Sequence, residues 1–254
     1  MRSIFIIAKN TFRLEIRDKI LYGIIIFALL YIGAQLFLAD LVFKELPMVK
    51  GFGLAGIYFF NAVVALFLGT TSFFKDVDRK IVYFILSKPV SRAQFLLGKF
   101  FGLCLVVLLA TVVLAAAYLG LVFYISGSFD WAGVLAILMQ CLEMALFLAF
   151  AIFVSTFSSS LLSIVFTSSA FFVGHIVSAM LADAKAMGIT GIKYRLVEII
   201  YYVFPNLEKF DIRNFAVHNV PISPVSLALA FAYAFLYVVL LLAAAIWIFD
   251  KKEI

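Results

Sequence analysis

Six long apolar runs constrain the fold of this chain more than any other feature. Each is close to the roughly 20 residues that an α-helix needs to cross the hydrocarbon core of a bilayer. Hydrophobic residues make up 66% of the 254 residues and charged residues only 13%, whereas a soluble domain carries roughly 25% charged residues. We therefore predict an all-α polytopic membrane protein with six spans, at about 20–39, 53–74, 99–125, 131–157, 161–181 and 225–249.

The Lys and Arg residues outside these runs predict the orientation. Six crossings place both termini on one side of the membrane. That side carries five Lys and Arg residues before the first run, six in the central loop and two in the tail, against two in the first loop and five in the loop before the last run. Because Lys and Arg are retained on the cytoplasmic side, we predict that both termini are cytoplasmic. This distribution, rather than nucleic-acid binding, explains the net charge of +6.

The first 19 residues have the pattern of an interfacial helix. An apolar stripe at helical spacing lies beside basic side chains, which attract anionic lipid at the headgroup level. A cleaved signal peptide is disfavoured, because the segment is acidic at Glu15 and Asp18 and no small-residue cleavage site follows the apolar run. The stripe consists of Phe5, Ala8, Phe12 and Ile16, and the basic residues are Lys9, Arg13 and Arg17.

Charged residues concentrate in the segment 74–100, FKDVDRKIVYFILSKPVSRAQFLLGKF, between the second and third runs. Its acidic pair can begin a short helix over 79–87 that a Lys-Pro pair ends. Ser91 and Gln94 then form a capping box for the next helix. The short helix has an apolar surface with a basic fringe, which suits either lipid or a groove on a partner protein. A plain surface loop between two spans is the alternative.

This order of features resembles the cytoplasmic loop of type 2 ABC exporter permeases. The residues that match are Leu86, Ser87, Pro89, Val90, Ser91, Arg92, Gly98 and Lys99. The resemblance implies a coupling helix that sits in a groove of a separate ATP-hydrolysing subunit and carries its movement into the membrane. The residues expected to contact that subunit are Asp78, Arg79, Tyr83, Leu86, Ser87, Lys88, Pro89 and Arg92.

The resemblance extends to the organisation of the chain. It implies one exporter transmembrane domain over 1–254, with an elbow helix at 1–19, a coupling loop at 75–98 and an outer-face loop at 183–224 that carries short helices before the last span. The implied setting is a bacterial inner membrane. The implied partners are two ABC ATPase subunits and a second permease copy, in a homodimer.

We predict no catalytic, cofactor or metal site in this chain. It contains no G-x-x-x-x-G-K-[ST] phosphate loop, so ATP and Mg would be bound by the ATPase subunits. The motifs G-x-S-x-G and H-E-x-x-H are also missing, which weakens the hypothesis of an intramembrane hydrolase or protease. The expected class is a non-catalytic transport subunit.

The loop 183–224 is the largest segment outside the predicted spans. Its residues 193–204 have an amphipathic helical pattern with tyrosines typical of an interfacial aromatic belt. The same segment of the permease branch linked to multi-copper enzyme maturation is resembled by Phe204, Pro205, Asn206 and Leu207, followed by Phe210 and Arg213. The loop could be a lid that seals the outer end, a gate for cargo, or a docking site for a periplasmic accessory protein.

Glu143 is an acidic residue well inside an apolar run, where a charge is costly. It could line the translocation path or carry a proton. The favoured interpretation is a helix-packing role through a hydrogen bond to Gln140 or His175, because buried carboxyls commonly become neutral.

The sequence therefore predicts the permease subunit of an ATP-driven exporter with unidentified cargo. Two alternatives stay open. One is an ion- or proton-coupled secondary transporter that uses Glu143, although no inverted repeat is evident. The other is a membrane scaffold that recruits a periplasmic maturation factor.

Overall fold

The computed structural model describes residues 2–17, 21–42, 45–78, 90–189 and 191–251. Within these ranges the chain forms nine α-helices, a 3-10 turn at Glu208–Phe210 and no strand. The helices are α1 (Arg2–Glu15), α2 (Leu21–Leu41), α3 (Leu46–Asp78), α4 (Arg92–Ser126), α5 (Trp131–Phe157), α6 (Ser160–Ala186), α7 (Ile192–Val203), α8 (Arg213–Val217) and α9 (Pro224–Lys251).

Six of these helices are long and apolar enough to cross a membrane, which confirms the all-α, six-span prediction. They are α2, α3, α4, α5, α6 and α9. Helix α5 is the central one, since 67% of its most apolar window is buried against 22–44% for the others. The bundle has two ends. The end at which α3 and α9 terminate is called the α1 end, and the opposite end is called the α8 end.

Three span boundaries differ from the prediction by five residues or more, and one of them is the end of α6, at Ala186 instead of 181. Helix α3 begins at Leu46 instead of 53, and α4 begins at Arg92 instead of 99. The capping box predicted for α4 is confirmed, with the Ser91 hydroxyl accepting from the Gln94 amide and the Gln94 side chain accepting from the Ser91 amide. Lys50 and Lys99, which the orientation argument treated as loop cations, thus lie inside helices, and both are buried.

A two-residue link, Ser158 and Ser159, joins α5 to α6, and the two helices pack against each other as antiparallel neighbours. Neither serine hydroxyl of the link caps a helix end in the described structure. Ser158 Oγ has no hydrogen-bond partner among the described residues, and Ser159 makes no side-chain cap bond. Instead the Ser158 amide donates to the Val154 carbonyl at 3.1 Å, so the backbone of α5 itself completes the turn.

Helix α1 packs directly on α4 because α4 presents glycines one turn apart. A Cβ at Gly98 would lie 2.7 Å from Ile7 Cβ, and one at Gly102 would lie 2.6 Å from Thr11 Cβ and 2.7 Å from the Ala8 carbonyl oxygen. This G-x-x-x-G spacing is the usual arrangement for close approach of two membrane helices. Gly98 was named above only as part of the family resemblance, and its packing with Gly102 against α1 was not predicted. That α1 is an interfacial elbow stays a prediction.

Replacing Gly102 with Leu should separate α1 from α4. The added side chain meets backbone as well as Thr11, so the change should lower the free energy of unfolding by about 1–3 kcal/mol. The measurement is the thermal midpoint of the purified chain in detergent. Gly120→Leu is the matched control, because a Cβ there has no neighbour within 4 Å. Equal midpoints for both variants would contradict the packing.

Candidate functional site

Most residues predicted to contact an ATPase lie outside the described residues: Arg79, Tyr83, Leu86, Ser87, Lys88 and Pro89. Asp78 is described only as the last residue of α3, without its side chain. The structure does describe how the two helices that flank 79–89 are held at the α1 end. The candidate site is therefore built from the end of α3 and the start of α4.

A buried polar network joins α1, α3 and α4 at this point. The Lys99 ammonium, 1% exposed, donates to the Asp76 carboxylate and, at 2.8 Å, to the Ser72 carbonyl. The Ser72 hydroxyl donates to the Glu15 carboxylate of α1. We call Glu15, Ser72, Asp76 and Lys99 the basal network. A buried ammonium needs such partners, since an unpaired buried charge is strongly destabilising.

Arg92 joins the start of α4 to the end of α9. Its Nη1 donates to the carbonyls of Phe249 at 2.5 Å and Asp250 at 3.2 Å, and its guanidinium lies 5.5 Å from the centroid of the Phe249 ring. A cation is favourable at a helix C-terminus, where carbonyls lack intrahelical partners. Thus one residue predicted to contact the ATPase contacts α9 within the chain.

A second polar cluster lies in the bundle core, where α3, α5 and α6 meet. Tyr58, Glu143 and His175 form what we call the polar triad. The Tyr58 hydroxyl lies 2.6 Å from Glu143 Oε1 and 2.6 Å from His175 Nε2, and the latter two atoms are 3.1 Å apart. Of the two partners expected for Glu143, His175 is present. Gln140 donates to the Leu54 carbonyl instead.

The triad can shift a proton without changing its net charge. His175 Nδ1 lies 2.9 Å from the Phe171 carbonyl, so this nitrogen carries a hydrogen. If Nε2 is also protonated, His175 and Tyr58 both donate to an ionised Glu143. If Nε2 is bare, a protonated Glu143 donates to the Tyr58 oxygen and Tyr58 donates to Nε2. Both arrangements hold the same number of hydrogens and both satisfy Oε1.

The loop before α9 covers this triad with a charged pair. The Arg213 guanidinium lies 4.4 Å from the centroid of the Tyr58 ring, a cation–π distance. Arg213 also donates to both carboxylate oxygens of Asp211, at 2.7 and 2.5 Å. Burial by itself would raise the pKa of Asp211, but the bidentate Arg213 outweighs it and holds that pKa below its ordinary value. The pair keeps Arg213 positioned over the triad.

Replacing Asp211 with Asn should destabilise the chain by about 1 kcal/mol at neutral pH, since it removes the charge that holds Arg213. Because the folded pKa is lowered, the stabilisation by Asp211 is complete above the ordinary value of about 3.9 and disappears as pH falls through the folded pKa. The difference in thermal midpoint between wild type and Asp211→Asn should be constant from pH 8 to about 5 and vanish at lower pH. A difference that instead grows on acidification would contradict this sign.

The segment 204–206, predicted as a gate or docking site, folds back against the bundle. The side-chain Nδ2 of Asn206 donates to Ser178 Oγ of α6 at 2.5 Å, and the backbone N–H of Asn206 donates to the Tyr233 hydroxyl of α9 at 2.9 Å. Pro205 is buried with it, whereas Phe204 is only partly buried. The predicted helix next to it is present as α7. This placement closes the space between α6 and α9 and leaves little of the segment exposed for docking.

A buried ion pair holds the α8 end together. Lys50 Nζ of α3 lies 2.8 Å from Asp130 Oδ1, just before α5, and 3.1 Å from Asn219 Oδ1. The Tyr118 hydroxyl of α4 donates to the other oxygen of Asp130 at 2.7 Å. Asn219 has a positive φ of 52°, a conformation for which Asn is favoured. One signal in the sequence could have indicated this pair: Lys50 and Asp130 have opposite charges, and each lies just before a predicted run that starts on the same side of the membrane.

Three residues of this site were not predicted to lie near Glu143. They are Tyr58, Asp211 and Arg213. Tyr58 lies 85 residues from Glu143 along the chain, in an apolar run that already contains several aromatic residues. Nothing local distinguishes it. Within the described ranges, no group of three or more His, Cys, Asp or Glu side chains is arranged to hold a metal ion.

A family model described as ABC-2 family transporter protein matches residues 5–254. The chain belongs to this family. It is therefore a multi-pass membrane subunit of a transporter, of a kind that associates with ABC ATPases and is generally not itself catalytic. A search among curated protein sequences found no significant match. The narrower resemblance to the branch linked to multi-copper enzyme maturation stays a prediction.

Proposed function

We propose that this chain is the permease subunit of an ATP-driven exporter in a bacterial inner membrane. It would act as a homodimer with two ATPase subunits, which bind the ATP and Mg, and its termini would be cytoplasmic. The observation that carries the proposal is the basal network together with Arg92. Both stems of the loop 79–89 are bonded to neighbouring helices exactly where an external subunit would push.

The contacts indicate how a displacement of this loop would spread. A push on 79–87 acts on the end of α3 and the start of α4. Lys99 holds these two ends together, Glu15 adds α1, and Arg92 adds α9. Breaking a buried pair costs about 3–5 kcal/mol, so the four ends should move as one unit instead of separating. The six-helix bundle would then change the side to which it opens.

The test is co-purification of the tagged chain with its ATPase from native membranes in mild detergent. Leu86→Asp places a charge in the apolar surface predicted to enter the ATPase, so we expect the ATPase and its activity to be lost from the eluate. Ser128→Asp is the matched control, because Ser128 is exposed at the α8 end. The chain itself should be recovered in equal amount in all three samples.

Two outcomes would count against the proposal. One is an ATPase that co-purifies equally with Leu86→Asp and with wild type, which would mean that this loop is not the contact. The other is a chain that repeatedly purifies alone while retaining its six-helix fold. That result would favour the secondary-transporter alternative, for which the polar triad supplies a specific candidate.

The buried placement of 204–206 supports the gate over the docking interpretation for the outer-face loop. Asn206 is hydrogen-bonded to both α6 and α9. If these helices move relative to each other, either these hydrogen bonds break or the segment 204–206 moves with the helices. We propose that this segment closes the exit between α6 and α9 in the conformation described here. Cargo would leave when the two helices separate. A periplasmic partner would then bind the exposed surface of α7, which has no fully buried residue.

A further inference from the structure

A large cavity lies outside both clusters described above. It is a groove of about 840 Å³ between α1, α4 and α5, which we call the α1 groove. This volume falls within the roughly 300–1,000 Å³ of small-molecule sites. Its walls are apolar, with Phe5 and Phe12 on one side and Cys104, Leu108 and Leu148 on the others.

Among the described residues that line this groove, Lys9 of α1 is the one with a charged side chain. Arg13 lies one turn further along the same exposed side of α1, and Arg17 one turn beyond it. A cleft that is apolar along its walls and cationic at one edge is complementary to a lipid with an anionic headgroup. Basic pockets beside membrane helices are known to bind such headgroups.

A neighbouring groove provides a comparison within the same protein. It has about 440 Å³ and lies between α4, α5 and α9, and none of the described residues that line it is charged. These residues therefore give no preference for an anionic lipid over a neutral one. Lys9 is thus what distinguishes the α1 groove.

We propose that the α1 groove binds an anionic phospholipid, with an acyl chain along α4 and the phosphate on Lys9. A second copy of this chain is a poorer occupant. A two-fold contact through this face would place the exposed cations of α1 opposite the same cations of the partner, and the groove carries no acidic residue to pair with them. The proposal is independent of the exporter assignment, since it concerns lipid only.

Native mass spectrometry of the detergent-purified chain tests it. Phosphatidylglycerol and phosphatidylcholine with identical acyl chains are titrated separately, and one phosphatidylglycerol should be retained preferentially. Lys9→Gln removes one cation, so it should weaken phosphatidylglycerol binding about five-fold and leave phosphatidylcholine binding unchanged. Arg17→Gln, two turns from Lys9, makes the same change of charge away from the groove and should have a smaller effect.

A second pair of variants tests the cavity itself. Leu108 is 47% exposed and lines the α1 groove but not the neighbouring one, so Leu108→Trp should fill the α1 groove and abolish retention. Val239, 49% exposed, lines the neighbouring groove, and Val239→Trp should leave retention unchanged. Equal retention of both lipids, or full retention by Leu108→Trp, would overturn the proposal. So would a dimer population that falls with Leu108→Trp while bound lipid does not.

The unmutated chain offers an independent readout, because its two cysteines, Cys104 and Cys141, both line the α1 groove. A bound acyl chain should shield their thiols. The rate of alkylation by N-ethylmaleimide, measured by mass spectrometry, should therefore fall when phosphatidylglycerol is added and fall less with phosphatidylcholine. Identical alkylation rates with the two lipids would also overturn the proposal.

Discussion

Lys99→Met should be among the most destabilising single substitutions in the described part of the chain. The ammonium is 1% exposed and is bonded to the Asp76 carboxylate and the Ser72 carbonyl, so its removal leaves a carboxylate and a carbonyl without their partner. Removing one member of a buried pair costs about 3–5 kcal/mol. For a chain of this size, that corresponds to a fall of the thermal midpoint by roughly 6–20 °C.

The measurement is thermal unfolding in detergent, followed by the fluorescence of Trp131 and Trp247. Lys185→Met is the matched control, because Lys185 is exposed near the end of α6, and its free energy of unfolding should stay within about 0.5 kcal/mol of wild type. The double variant Lys99→Met with Asp76→Asn should recover much of the loss, since it removes the uncompensated charge. A Lys99→Met midpoint equal to that of Lys185→Met would show that the basal network does not hold these helices.

The double variant also separates stability from function. It restores a neutral, packed core but no longer bonds α3 to α4 through an ion pair. In a complex with the ATPase, we expect it to retain the partner, whose proposed contact is the segment 79–87, while ATP turnover becomes less dependent on the membrane subunit. Unchanged coupling in the double variant would mean that the loop transmits movement by another route.

The sequence predicted the spans well because their ends carry local signals. The predicted run 131–157 coincides with α5, which lies between a glycine turn and a serine link. The start of α4 was misplaced although its capping box was recognised. The reason is Lys99: a Lys at the edge of an apolar run looks like a loop cation unless its partner Asp76 is known, and Asp76 lies across an intervening loop.

The contacts of the candidate sites could be predicted only in part. The apolar setting of Glu143 indicated that it needs a partner, and the choice was narrowed to Gln140 and His175 from their positions in the runs. To choose between Gln140 and His175, one must know which face of α5 points toward which neighbour. In a span that is apolar on all sides, helix periodicity does not define this orientation. For the same reason Tyr58 was missed, since its position 117 residues from His175 gives no local pattern.

Glu143→Leu should be strongly destabilising, whereas Glu143→Gln should be tolerated. Leu removes the third member of the triad, so the Tyr58 hydroxyl keeps only His175 as a partner, and incomplete pairing of a buried polar group costs about 1–3 kcal/mol. Gln can place its amide nitrogen at the position of Oε1, where it donates to the Tyr58 oxygen while the Tyr58 hydroxyl donates to a bare His175 Nε2. A double-mutant cycle of Glu143→Leu with Tyr58→Phe should give a coupling energy of about 0.5–3 kcal/mol, measured from thermal midpoints in detergent.

The same two variants discriminate between the exporter and the secondary transporter, because they separate the hydrogen bonds of Glu143 from its proton. Gln preserves the bonds but cannot exchange a proton with His175 through Tyr58. If the triad is a packing element of an exporter, Glu143→Gln should co-purify with the ATPase and hydrolyse ATP at close to the wild-type rate at every pH between 6 and 8. If the triad carries protons, Glu143→Gln should fold normally and yet abolish proton uptake into proteoliposomes. Normal stability with lost proton uptake would therefore overturn the exporter assignment, since a purely structural glutamate cannot produce that combination.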